Sequence, residues 1–293
     1  EHYFGFDVLG YNRYYTALQA QQNINAVVNI PDWHDISSLD VAELEDGGRY
    51  LIRLVQPMKD ENGLNISDIT RVMMTGVGSS YIKKELYGLP SSRVKEFDGI
   101  GKGGLYLSGL EEALVVSMGT GTALVHAKRG GKMEYLGGTG VGGGSLIGLA
   151  KLLVGAENIE HIAELAEGGD LSNVDLHIKD ITSPDALEAL SRDLTASNFG
   201  NISDLASKND IALGVMNMVF ETVAMVALFA ARSVGVKDIV LTGNVTQLEC
   251  CQRKFEELSG MGYGVRYIIP EYSRFATVIG AALSGIGGEG GNE

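Results

Sequence analysis

Two rhythms of apolar and polar positions run along this chain. Short apolar or aromatic runs bounded by turn residues predict strands at Tyr3–Val8, Val72–Met74, Ala113–Val116, Ala123–Val125, Asp238–Thr242 and Val265–Ile269. Apolar residues at helical spacing predict helices over Ser79–Leu86, Gly99–Leu110, Ser145–Leu153, Ile159–Glu167, Val245–Leu258 and Arg274–Ser284. Strands alternating with helices give an α/β chain. Less sharply, Ala26–Ile30 and Tyr50–Val55 have strand character, Asp32–Asp46 reads as an acidic surface helix, and Leu171–Arg192 as helix and linker. The helix from about Asp210 to Val234 is apolar on nearly all sides and is predicted to be covered on all of them. Asn217, Glu221 and Thr222 break its apolar run well short of the ~20 residues of a membrane span. A homodimer contact through 210–234 is the natural cover for any face left over, and residues 286–293 are expected to be a disordered tail.

Glycine marks the places where this pattern changes. Gly119-Thr120-Gly121 joins two apolar runs as a hairpin turn, and Gly137–Gly144 packs six glycines into eight residues before a helix that starts at Ser145. Glycine lets main-chain N–H groups converge on an anion, and a helix start adds unpaired donors and partial positive charge. Two such loops predict a cradle for a polyphosphate. A third small-residue turn, Gly243-Asn244, sits between a late strand and a helix, and Asp7 with Gly10 puts a carboxylate at the tip of the first strand.

Composition narrows the partners. With 37 acidic and 23 basic residues, the net charge of −14 argues against nucleic acid or an anionic membrane as partner. The cysteines are Cys250 and Cys251, adjacent and unable to form an ordinary bridge with each other, which fits a reducing cytoplasm. The five histidines have no metal-ligand spacing. In Val94-Lys95-Glu96-Phe97-Asp98, two carboxylates flank an aromatic residue just before a predicted helix; Asp98 reads as its N-cap, and a carboxylate there is also a candidate base.

The wording of the motifs VSMGTGTAL, YLGGTGVGGGSLIGLAKLL, DLTASNFG, MVFETVAMVALFAARSVGVKDIVLTGN and FATVIGAALSG closely resembles the type II pantothenate kinases over about residues 60–285. That resemblance implies the actin-like ATPase fold, a duplicated ribonuclease H-like α/β architecture with two lobes of mixed sheets flanked by helices. The expected lobes are 1–110 and 111–285. It implies ATP and Mg²⁺ as cofactors, pantothenate as phosphoryl acceptor and a homodimer. By position, Glu96 takes the place of the family's catalytic carboxylate. Gly119, Thr120, Gly121, Gly142, Gly143, Gly144 and Ser145 match the ATP-contacting loops, and Gly243 and Asn244 the adenosine-side turn. Asp7, Gly10 and Arg13 fall on the first phosphate loop, Asp7 also as metal ligand, and Thr139 and Tyr135 on the acceptor side.

Two departures accompany the likeness. The family opens with Asp-x-Gly-Gly-(Ser/Thr)-x-x-Lys, whereas Asp7–Tyr14 here reads DVLGYNRY, so a glycine, the hydroxyl residue and the lysine are replaced. Many members also carry an arginine where Tyr135 stands. If Arg13 replaces the lost cation, activity survives; otherwise the alternative is a weakened pseudokinase that binds nucleotide or acyl-CoA. A second alternative is the related activator of 2-hydroxyacyl-CoA dehydratases, an iron-sulfur ATPase, against which stands the absence of cysteine before Cys250.

Overall fold

The computed structural model describes residues 3–7, 14–16, 70–76, 79, 85, 88–183 and 194–285. Two mixed sheets carry the fold. The first contains β1 (Tyr3–Asp7), β2 (Tyr14–Thr16), β3 (Arg71–Thr75) and β4 (Ser91–Arg93) in the order β2-β1-β3-β4. Helix α1 (Glu96–Ser108) leads to the second sheet. There β5 (Glu112–Met118), β6 (Thr122–Lys128) and β7 (Glu134–Thr139) form a meander that β10 (Asp238–Thr242) and β11 (Arg266–Ile268) extend, giving β11-β10-β5-β6-β7.

Both sheets follow one plan. β1 pairs antiparallel with β2 and parallel with β3, and β3 parallel with β4. In the same way β5 pairs antiparallel with β6 and parallel with β10, and β10 parallel with β11. Asp7, the last residue of β1, therefore occupies the place in the first sheet that Met118 holds at the end of β5 in the second.

The apolar run of β5 explains its central position. Ala113 and Val115 face one side with Ile100 and Leu105 of α1, while Leu114, Val116 and Met118 face the other, in the core built on α5 (Lys208–Val234). A strand buried on both faces needs no polar alternation. The last helix, α7 (Ala276–Ser284), lies against β1 and β3 and against α1. Glycine permits that approach: a Cβ on Gly280 would stand 2.6 Å from the Gly103 nitrogen and 2.7 Å from the Gly99 carbonyl carbon.

Helix α5 is closed at both ends. Ser207 Oγ accepts from the Asp210 N–H (3.2 Å) while the Asp210 carboxylate accepts from the Ser207 N–H (2.8 Å), and Gly235 ends the helix at φ 74°. By length and composition α5 is apolar enough to cross a bilayer, contrary to the shorter run counted in the sequence. However, 61% of its most apolar window is buried inside the fold. The remaining described helices are α2 (Gly143–Leu153), α3 (Ile159–Glu167), α4 (Ile178–Ile181) and α6 (Glu249–Gly260), and a small pair, β8 (Leu176–His177) with β9 (Thr195–Ser197), lies outside both large sheets.

Of the boundaries that differ from the sequence-based expectation, three bear on the candidate site. Helix α1 begins at Glu96 rather than Gly99, because β4 has ended and the Gly99 N–H already donates to the Lys95 carbonyl (3.1 Å). Asp98 is thus inside the first turn and is not the cap. Gly137–Thr139 belongs to β7, pairing with Thr122–Leu124, so the bare loop shrinks to Gly140–Gly142 and the helix starts at Gly143 rather than Ser145. In place of a helix directly from Val245, a 3₁₀ turn over Asn244–Gln247 precedes α6. The expectations for residues 17–59, 80–84 and 286–293 lie outside the described residues.

Candidate active site

The β5–β6 hairpin turn and the start of α2 are locked together by main-chain hydrogen bonds. The Gly143 N–H donates to the Gly119 carbonyl and the Gly144 N–H to the Thr120 carbonyl, both at 2.8 Å, and the Gly119 N–H donates across its own turn to Gly121 O at 2.9 Å. Here the structure corrects the physical reason given for the glycines. The donors of Gly143 and Gly144 are spent on the neighbouring turn, so these glycines permit one loop to sit on another. A Cβ on Gly142 would be 2.8 Å from the Gly121 carbonyl carbon and oxygen; on Gly143, 2.9 Å from Gly119 O; on Gly144, 2.8 Å from the Thr120 methyl.

Side chains finish the loop. Thr139 Oγ1 accepts from the Val141 N–H (3.1 Å), Thr122 Oγ1 donates to Val141 O (2.8 Å), and Ser145 Oγ donates to Gly140 O (2.8 Å). Thr139 and Ser145 therefore shape the loop directly. The third turn borders the other two: Gly243, at φ 101°, lies so close to β5 that a Cβ would meet Met118 backbone, and Val245 packs on Gly143. A residue with a side chain is strained at that φ, which is why glycine stands there.

Beyond the Gly243-Asn244 turn opens a cleft of about 330 Å³ whose walls include Gln247, Gln252, Tyr267, Tyr272 and Ser273. The Gly243 N–H donates to Ser273 O (3.2 Å), and the buried hydroxyls of Thr246 and Ser273 are 2.6 Å apart. Tyr272 holds a left-handed conformation at φ 61°, uncommon for a bulky residue. None of Gln247, Tyr272 or Ser273 was singled out in the sequence, where nothing joins 247 to 273.

Glu96 and Asp98 sit in the first turn of α1, at the positive end of its dipole. Phe97 stacks on Tyr135 of β7 with ring centroids 3.9 Å apart and planes 8° from parallel. The Tyr135 hydroxyl reaches back over Gly138, 3.1 Å from where a Cβ would stand. Tyr135 thus links the helix that carries Glu96 to the strand that enters the second glycine loop. Asp7 ends β1 in register with Thr75 on the first sheet, while Gly10 and Arg13 lie outside the described residues.

A polar network on the outer side of α5 was missed altogether. Asn217 Nδ2 donates to Asp175 Oδ2 (2.8 Å) and Thr195 Oγ1 (3.3 Å); Thr195 Oγ1 donates to Glu221 Oε1 (2.9 Å), which also pairs with Lys254 (2.9 Å). It borders a second cleft, of about 350 Å³, between α3, α5 and α6. Among the described residues no group of three or more His, Cys, Asp or Glu side chains is placed to hold a metal ion.

Comparison with known proteins follows the same lines. A family model described as Fumble matches residues 112–253. The type II pantothenate kinase of Staphylococcus aureus strain MRSA252 is 28% identical over 265 residues, covering 82% of this chain and 98% of that protein. That of strain USA300 is also 28% identical, covering 80% and 96%. In structure, a ROK family protein from Streptococcus pneumoniae, solved with sucrose, superposes with a TM-score of 0.54 at 13% identity over 97% of each chain. Component A of the (R)-2-hydroxyglutaryl-CoA dehydratase of Acidaminococcus fermentans gives 0.51 at 18% identity, over 77% of this chain and 79% of that one. The fold is thus the actin-like α/β architecture expected from the sequence. Along about 80% of its length the chain is similar in sequence to the type II pantothenate kinases.

Proposed function

We propose that this chain transfers the γ-phosphoryl group of ATP to the primary hydroxyl of pantothenate, giving 4′-phosphopantothenate, in a reducing cytoplasm and as a homodimer through helix 210–234. The observation that carries this reading is the interlock of the 119–121, 140–145 and 243–245 turns, which follow the ends of β5, β7 and β10 in the second sheet. It is a cradle whose backbone approach a Cβ would obstruct at Gly121, Gly142, Gly143 and Gly144. Such a rigid edge suits phosphoryl transfer, which depends on positioning and charge stabilisation more than on covalent chemistry by the protein.

In this scheme Thr120 and Gly121 border the phosphates with Gly140 and Gly142, and the dipole of α2 adds partial positive charge at its start. The cleft past Asn244 takes the adenosine, with the Gln247 side chain and Tyr272 ring offering the hydrogen bonds and flat surface a base requires. Mg²⁺, when bound with the nucleotide, neutralises phosphate charge, and Asp7, the last residue of β1, is the residue that would hold it. Arg13, in the sequence of the substituted first loop, is the residue that would supply the cation this loop otherwise lacks. Glu96 takes the proton from the acceptor hydroxyl onto its carboxylate as the oxygen attacks. The dehydratase-activator reading finds no support in the thiols: Cys251 is fully buried and desolvation pushes its thiol far up, away from the thiolate a cluster needs.

A coupled assay with ATP and pantothenate tests this reading, with nucleotide binding measured by calorimetry on the same folded sample. Turnover supports it. Tight nucleotide or acyl-CoA binding without phosphorylation would leave the weakened pseudokinase.

A further inference from the structure

An exposed, stacked pair of aromatic rings beside a candidate base calls for an occupant. Tyr135 leaves 48% of its surface exposed although it is a large amphipathic side chain, and its ring lies flat on Phe97 at 3.9 Å. Phe97 is itself packed beneath, against the Ile100, Leu105, Val125 core, so the stack has a fixed floor and an open top. Its position is set from both ends: Phe97 follows Glu96 in the first turn of α1, and the Tyr135 hydroxyl lies over Gly138, next to Thr139 at the entry to the glycine loop. The flat apolar surface therefore runs from the helical turn that carries Glu96 to the strand that enters the glycine loop.

We propose that the Phe97–Tyr135 stack seats the branched, methyl-bearing carbon next to the reacting hydroxyl, and so selects primary alcohols of the pantoyl type. The inference rests on the function proposed above. In pantothenate the primary hydroxyl is carried on a CH₂ attached to a carbon bearing two methyl groups. Once that oxygen is within reach of both Glu96 and the phosphates, the two methyls have to lie against whatever surface joins them, and here that surface is aromatic. A charged or strongly hydrated group at the same position would lose its water against the rings. The stack touches the pantoyl end only, so the far end of the acceptor can vary from carboxylate to substituted amide without disturbing it.

The test is a four-way comparison of kcat/KM: wild type and Tyr135→Leu, each with pantothenate and with N-(2,4-dihydroxybutanoyl)-β-alanine, which lacks both methyls. Wild type is expected to prefer pantothenate by about tenfold or more, the usual worth of small apolar groups in a fitted pocket. Tyr135→Leu is expected to lose most of that preference by a fall on pantothenate alone, and Tyr135→Phe, which keeps the ring, to retain it. A merely structural role would lower both substrates together. Equal methyl preference in Tyr135→Leu and wild type, with turnover intact, overturns the shelf and leaves the kinase reading standing; absence of turnover by folded wild type overturns both. Because Tyr135 is half exposed on a strand, the leucine variant is expected to fold, and its melting curve checks that independently.

Discussion

Replacing Gly142 by alanine tests whether the glycines of the second loop are there for close packing. The new methyl would stand 2.8 Å from two backbone atoms of Gly121 and 2.9 Å from its Cα, where ordinary contact begins at 3.4 Å. The neighbour is main chain and cannot rotate away, so the loops must part by several tenths of an ångström. Overpacking of this kind costs about 1–3 kcal/mol. Parting also weakens the two 2.8 Å hydrogen bonds from Gly143 and Gly144, each worth about 1 kcal/mol. A total near 3 kcal/mol, at about 2–4 °C per kcal/mol for a chain of this size, lowers Tm by about 10 °C. The matched control is Gly148→Ala inside α2, where a Cβ meets nothing within 4 Å. There alanine is expected to stabilise by about 0.5–1 kcal/mol. Differential scanning calorimetry of both variants, with and without a non-hydrolysable ATP analogue, reads the result. The reasoning is refuted if Gly142→Ala melts with wild type and keeps wild-type nucleotide affinity.

Other consequences can be checked by the same methods. Gly280→Ala drives a methyl into the Gly99 and Gly103 backbone where α7 crosses α1, and should cost about 3 kcal/mol in urea unfolding. Lys254→Met leaves the Glu221 carboxylate, itself 14% exposed, with the Thr195 and Asn198 donors alone among the described residues, and should destabilise by about 3 kcal/mol. Asp210→Asn should cost about 1–2 kcal/mol near neutral pH, because the carboxylate accepts from the Ser207 and Asp170 N–H groups. Those same bonds hold the Asp210 carboxyl below its ordinary value of 3.8. A depressed carboxyl contributes its stability above the unfolded value and loses it as pH falls through the folded one. The gap between wild type and Asp210→Asn should therefore be full at pH 7 and narrow progressively below about pH 4 in pH-resolved unfolding curves.

How much of this was legible depended on how local the signal was. The β5–β6 hairpin, the glycine turn and the buried strand ALVVSM could be read because each is fixed by residues next to one another. Glu96 was recognised as a candidate, yet its place inside a helix was hidden by four glycines in the first nine residues of α1, which look like loop and in fact make room for α7 and β5. The glycine loop was found for an incomplete reason: the sequence shows that a Cβ is absent, and only the fold shows that a neighbouring turn fills part of the space. The network of Asp175, Thr195, Asn217 and Glu221 was illegible because directly bonded members lie up to 42 residues apart and each looks like an ordinary polar residue where it stands. The same holds for Phe97 and Tyr135, which lie 38 residues apart and meet where α1 packs on β5 and β6, the neighbours of β7 in the sheet.

The most direct measurement of the central claim is ³¹P NMR of a mixture of ATP, Mg²⁺ and pantothenate with wild type and with Glu96→Gln at equal concentration. The account predicts a phosphomonoester signal from 4′-phosphopantothenate growing with wild type, and at least a hundredfold slower with Glu96→Gln while its affinity for nucleotide is unchanged. No phosphomonoester from folded wild type, or equal rates from the two proteins, would contradict it.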